Sequence, residues 1–279
     1  MGKLHDAIRK GLTKSAMKLL AGGMPDLNGW DAAGDTALTL AVAHGEGEIA
    51  EHLIVHGADV NRPDRRQWCP LHFAASAGRE DLVELLLCRG ANPNGRGAGG
   101  RAPLQAASVG GSLSIVMRLL DAGAEPGQCD DDGDQAIHCA ARDGHAPVVA
   151  LLLQRGARAD ACGRHRQTPL HLAVLGRHAQ VAEVLLTRKP PVDSVDVAGN
   201  TPLHLAVRSN SADVVLLLLK AGADLKIVNV DGRTPVGLAE ELREARIHAI
   251  HTMRQGRGET LSLFSQFTDI VAVLQQWQR

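Results

Sequence analysis

Aromatic side chains are nearly absent from this chain. Its 279 residues include three Phe, three Trp and no Tyr. That argues against the base-stacking surfaces single-stranded nucleic acids use. Neither sign of charge is in excess, with 30 Lys and Arg against 31 Asp and Glu. Bulk charge therefore calls for neither nucleic acid nor membrane. No apolar run of secretory type opens the chain, and no ~20-residue apolar span is present for a membrane helix. The five cysteines, 69, 88, 129, 139 and 162, form no CxxC pair. An odd count without such a pair makes neither a disulfide framework nor a zinc knuckle. These features predict free thiols and a reducing intracellular setting, the cytoplasm first and the nucleus second.

Catalytic patterns are also missing. No GxSxG, Walker A loop or Cys/His nucleophile pair occurs, so no constellation runs a reaction. Gly95 to Gly100 formally matches GxGxxG, but a dinucleotide site needs that sequence between a strand and a helix. His52 and His56, and His248 and His251, are helix neighbours, yet two ligands do not make a zinc site. We expect no enzyme activity, no cofactor and no metal.

What the chain does have is a repeat. Thr201-Pro202-Leu203-His204-Leu205-Ala206 recurs as Thr168-Pro169-Leu170-His171-Leu172-Ala173, 33 residues earlier. Weaker copies stand at Gln135, Ala102, Cys69 and Thr36, and Thr234-Pro235-Val236 closes the series. Such a period marks a repeat architecture, read before anything else. Thr before Pro starts a helix, because the hydroxyl caps free N–H groups and Pro suits the first helical position. Ala recurs at 41, 74, 107, 140, 173, 206 and 239, which predicts helices too close for a larger side chain. Ile49, Leu82, Ile115, Val148, Val181 and Val214 form a second column, and Leu53, Leu86, Leu119, Leu152, Leu185 and Leu218 a third. Four residues separate the two, which places them on one face of a second helix. Gly57, Gly90, Gly123, Gly156 and Gly222 end that helix. Cys129 and Cys162 are equivalent loop positions. Stacked helices lie ~8–10 Å apart, beyond the ~7 Å a disulfide tolerates between Cα atoms.

These residues resemble the ankyrin repeat over roughly residues 3–251. The resemblance implies an all-α fold: an L-shaped solenoid of helix pairs with β-turn fingers, about seven full repeats plus a degenerate C-terminal cap. It implies binding of protein partners along the concave face of fingers and first helices. It also implies a structural role for His72, His138, His171 and His204, bonding neighbouring turns. Asn61, with Leu53, Asp59 and Val60, resembles the consensus around asparagines that oxygen-dependent hydroxylases modify, and the same residues are plain repeat consensus.

The repeats are expected to start near 3, 34, 67, 100, 133, 166, 199 and 232, in an array over 1–251. The first carries one extra residue at Met24-Pro25, and Lys3, His5, Arg9, Lys10, Lys14 and Lys18 face outward as a polar cap. Arg177 and Asn210 replace the glycine between helices, and Lys189 before Pro190-Pro191 replaces the helix-ending glycine. A locally altered helix end is therefore expected near 187–195. The eighth unit lacks the glycine between helices and runs on as a charged helix from Glu240 to Arg254. The tail, 252–279, carries an amphipathic helix at 260–278, with Leu263, Phe264, Phe267, Ile270, Val271, Leu274 and Trp277 on one face. That face either caps the last repeat or docks on a partner or a second copy. Phe264 occupies the cysteine position of the box that recruits ubiquitin-ligase adaptors in some ankyrin proteins, which discounts that route.

The expected function is a non-catalytic protein-interaction module: an adaptor, inhibitor or targeting subunit. The alternative is a substrate-presenting subunit of an enzyme complex, docked through the C-terminal helix. Candidate partner contacts are Arg65, Arg66, Trp68, Arg101, Asp131, Asp134, Arg142, His165 and Arg166. Trp68 leads them, since its equivalents Asp35, Arg101, Asp134, Gln167, Asn200 and Arg233 are all polar. It is expected either to be a binding hot spot or to pack on Arg101 or local backbone. Finger loops alternate in charge, from Arg62, Arg65 and Arg66 to Asp130, Asp131, Asp132 and Asp134, then Arg164, His165 and Arg166.

Overall fold

The computed structural model of the protein describes residues 2–22, 26–254 and 270–277. The expected insertion at Met24-Pro25 and the start of the tail helix, with Phe264 and Phe267, lie outside them. All regular elements among the described residues are helical. They fall into two compact units, residues 1–140 with 151–157, and residues 141–150 with 158–279.

In the first unit, helices alternate between two rows. First helices are α1 (Gly2–Arg9), α3 (Ala37–His44), α5 (Pro70–Ser76) and α7 (Pro103–Gly110). Second helices are α2 (Thr13–Ala21), α4 (Gly47–Val55), α6 (Glu80–Cys88) and α8 (Leu113–Asp121). Each helix packs on its pair and on the equivalent helix of the next repeat. Helices α9 (Ala136–Arg142) and α10 (Ala146–Gln154) contribute to both units. The second unit continues with α11 (Pro169–Leu175), α12 (Ala179–Leu186), α13 (Pro202–Arg208), α14 (Ala212–Lys220) and α15 (Pro235–Arg254). Helix α16 (Ile270–Trp277) packs against both α14 and α15, where the second helix of a further repeat would stand.

The columns read from the sequence are the core. Six of the seven repeated alanines are fully buried, and the Leu53 to Leu218 column is buried throughout. Each fully buried leucine contributes about 1.5–3 kcal/mol. The polar face of the first repeat needs one correction. His5 is buried with Leu4, Ala7 and Ile8, because α1 lays that side against α3.

Helix starts follow from their caps. Thr168 and Thr201 hydroxyls accept from the His171 and His204 backbone N–H groups, each at 3.4 Å. Prolines 70, 103, 169 and 202 stand in the first turn, where no N–H is needed. First helices end on a left-handed residue at Gly45, Gly78, Gly111, Gly144, Arg177 and Asn210. Gly111 ends α7 in register with the others.

The end of α12 is altered for a definable reason. The amides of Ala58, Ala91, Ala124, Ala157 and Ala223 each donate back to the leucine carbonyl five residues earlier, at 2.9–3.0 Å. Pro190 holds the equivalent position and has no N–H to give. Lys189 still takes the left-handed backbone, at φ 49°.

Among the described residues, seven hairpin fingers join the repeats. Each closes with one backbone bond, such as Asp64 N–H to the Trp68 carbonyl at 2.9 Å and Gly163 N–H to the Gln167 carbonyl at 2.9 Å. In five fingers the residue at the base caps the turn with its side chain: Asp31, Asp64, Asp130, Asp196 and Asn229. Gly97 and Gly163 replace it in the other two. Those fingers instead form short 3₁₀ turns, Ala98–Gly100 and Arg164–Arg166.

Candidate interaction surface

The fingers and first helices are tied together by one bond repeated down the chain. His72 Nε2 meets the Arg101 carbonyl at 2.9 Å, His171 the Asn200 carbonyl at 3.1 Å and His204 the Arg233 carbonyl at 3.0 Å. In each case Nδ1 accepts from the backbone N–H three residues earlier. The ring must therefore be neutral, with its proton on Nε2. Burial pushes all three imidazoles below their ordinary value, against the opposing pull of the carbonyls. Gln105 makes the same pair of bonds with an amide, each at 2.7 Å. Asparagines form a second ladder in the first unit. Asn61 Oδ1 accepts from Asn92 N–H at 2.7 Å and its Nδ2 donates to Gly90, as Asn94 does one repeat later. The Asn61 amide thus has a structural task of its own.

On this frame the first unit gathers several candidate residues. Trp68 is half-buried, with its ring 5.3 Å from Phe73 and 5.7 Å from His72. It leans on its own helix rather than on Arg101. Arg66, Trp68, Phe73 and Ala98 line a pocket of about 210 Å³. Arg66 pairs with the buried Asp64 at 3.2 Å and with Asp35 at 3.4 Å. Arg9 also reaches Asp35, and it bonds Asp31 at 2.6 Å. Burial raises the Asp31 carboxyl, but Arg9 and two backbone N–H donors outweigh it and hold the group below its usual value.

A second aromatic was missed in the sequence. Trp30 lies under Arg62, at 4.4 Å from ring centre to guanidinium, and near Arg65 at 5.9 Å. Its Nε1 donates to the Pro63 carbonyl at 2.9 Å. The register offered a signal, because Trp30 aligns with Pro63, Arg96, Cys129 and Cys162, none of them aromatic. Arg62 therefore stacks on a ring, and Arg65 covers Gly34 so closely that a Cβ there would meet it at 2.8 Å.

The remaining candidates divide. Arg101 is exposed. Asp131 is exposed and paired with Arg96 at 2.9 Å. Asp134 is a correction: it is buried in its finger base, with its carbonyl taken by Gln105. In the second unit, Arg142, His165 and Arg166 are exposed. His178 reaches the Arg142 carbonyl at 3.0 Å, through a slot that a Cβ at Gly144 or Gly176 would close. On α16, Ile270 and Leu274 are buried and Trp277 is 46% exposed.

His52 and His56 stack, and each Nδ1 is engaged by a backbone carbonyl. Burial pushes the Cys69 thiol up to about 11, which leaves it a protonated donor to the Asn61 carbonyl. None of the five cysteines forms a disulfide in the described structure. Among the described residues no cluster of His, Cys, Asp and Glu could hold a metal, and no helix is long and apolar enough to cross a membrane.

Comparison with known proteins agrees with this geometry. The family profile described as "Ankyrin repeats" matches in three copies, over residues 4–96, 104–198 and 158–229. The chain belongs to the ankyrin repeat family. Among solved structures it is similar to the human ASB11 ankyrin repeat domain, at 31% identity and a TM-score of 0.68. That match covers 74% of this chain and 92% of the other. No curated protein sequence matches. Ankyrin repeats are protein-interaction units, so the finger and first-helix residues above are candidate contacts of an ankyrin array.

Proposed function

We propose that this chain is a non-catalytic binding module that holds a protein partner on its fingers and first helices, as an adaptor, inhibitor or targeting subunit. The observation that carries the reading is the pocket beneath Trp68. The half-buried Trp68, a second ring at Phe73, a small Ala98 and a charged Arg66 make an apolar cup with a polar rim. That is the anatomy of a binding hot spot. Arg65 and Arg101 are further candidate contacts of this unit, and the other unit, taken by itself, offers the exposed Arg142, His165 and Arg166. Helix α16 serves as a cap in this reading, because its apolar face is spent on α14 and α15.

The test is the affinity of an isolated partner for the wild-type chain and for Trp68→Ala. We expect at least a tenfold loss, more than ~1 kcal/mol, with the helix content unchanged. An unchanged affinity would remove Trp68 from the interface. A purified chain that captured no protein yet turned over a substrate would remove the reading altogether.

A further inference from the structure

Two fingers lack the side-chain cap, and they solve the turn differently. In 97–101 the left-handed positions are Gly99 and Gly100, at φ 67° and 72°. In 163–167 the same two positions are His165 and Arg166, at φ 56° and 59°. A side chain is strained in that backbone region and glycine is not. The sister finger demonstrates that glycine fits the turn. His165 and Arg166 therefore stand beside Arg164 at an exposed tip against the local preference of the chain. Strain of this kind gathers where a surface is used.

The neighbouring fingers supply the rest of a surface. Val197 N–H donates to the His165 carbonyl at 3.0 Å, and Val230 N–H to the Ala198 carbonyl at 3.1 Å. The three finger edges thus run side by side. Asp196 and Asn229 are buried at the finger bases, and the next residues, Val197 and Val230, begin the exposed turns. They are 58% and 71% exposed. A basic tip is followed by an aliphatic one and then by Val230 beside Asp231, whose carboxylate pairs with Arg233 at 3.6 Å.

Building on the reading of the chain as a protein-binding array, we propose that these edges take an extended acidic peptide. Its carboxylates meet Arg164 and Arg166, and its aliphatic side chains cross Val197 and Val230. With adjacent repeats ~10 Å apart, three edges span about 20 Å, or roughly six extended residues. A nucleic acid fits poorly, since these fingers present no Phe, Tyr or Trp as a stacking platform and two of the three tips carry exposed valines. A membrane fits poorly too, because Arg233 in the third finger is already paired with Asp231 and Glu241, and the chain's net charge is -1.

The probe is a fluorescein-labelled octapeptide of three glutamates, two serines and Leu-Ser-Leu, with its reversed sequence, titrated by anisotropy against the full chain. One of the two orders should bind at least tenfold tighter than a copy with lysines for glutamates. Arg164→Glu with Arg166→Glu should weaken it at least tenfold, and Val197→Ser with Val230→Ser at least threefold. His165→Gly with Arg166→Gly should raise the melting temperature and weaken binding together, which a structural role for these residues would not do. Equal affinity for the lysine copy, unchanged affinity in the charge-reversed variant, or tighter binding to an oligonucleotide or an anionic vesicle would overturn the proposal. If the peptide fails while an isolated protein partner still binds in a Trp68-dependent way, this inference falls and the array reading stands.

Discussion

Gln105 donates to the Asp134 carbonyl at 2.7 Å, the bond that His72 makes to Arg101 one repeat earlier. One bond is made by an amide, the other by an imidazole that must stay neutral. The array is therefore held by links of which only some titrate.

The first prediction follows from that difference. The folded His72, His171 and His204 rings titrate below their ordinary value of 6.5, so the unfolded chain binds more protons than the folded one as pH falls. Their contribution is fully present above about pH 6.5 and is lost as pH drops through their folded values. The depressed Asp31 acts in the same sense at lower pH. Urea unfolding at pH 8, 6.5 and 5 should show a falling midpoint. His171→Gln should flatten that fall, since glutamine makes the bond without titrating. A midpoint independent of pH in the wild type would contradict this role.

The second concerns the end of α12. Pro190 removes a bond that five other repeats keep, and Lys189 is strained where they have glycine. Lys189→Gly should stabilise the chain by about 1 kcal/mol, read as a raised urea midpoint. Amides of residues 185–189 should exchange faster than those of 218–222. Slower exchange at 185–189 would mean that the helix end is not weakened.

The third concerns α16. Ile270, Val271 and Leu274 are buried on α14 and α15. Removing residues 257–279 uncovers both helices, and each apolar side chain so lost costs about 1.5–3 kcal/mol. The truncated chain should melt several degrees lower. Unchanged melting with loss of one partner, or of a dimer in sedimentation, would assign the helix to docking instead.

The fourth concerns salt. Arg66 already has Asp64 and Asp35 beside it, whereas no such pair of carboxylates stands at Arg166 in its own finger. Charge reversal at Arg166 should therefore lower partner affinity more at 50 mM salt than at 300 mM. Charge reversal at Arg66 should change the salt dependence less and the stability more. The opposite order would place the steering charge in the first unit.

Much of this was legible in the sequence because the period is strict. The alanine and leucine columns named the core, and Arg177, Lys189 and Asn210 announced left-handed backbone by standing where glycine stood elsewhere. Other features needed coordinates. Gln105 reads as a lost histidine until its amide is seen spanning both bonds. His5 reads as a surface charge until α1 turns it onto α3. Trp30, Arg62 and Arg65 are separated in the chain, and only the turn of two fingers brings ring and guanidinium together. Gly97 and Gly163 look like ordinary loop glycines, yet they decide which fingers lose their caps.

The central claim, that fingers and first helices carry the binding, is tested most directly by hydrogen exchange of the chain with and without an isolated partner. Protection at residues 64–73, 98–101 and 163–167 is the predicted result. Protection confined to the second helices, α4, α6, α8, α12 and α14, would contradict it.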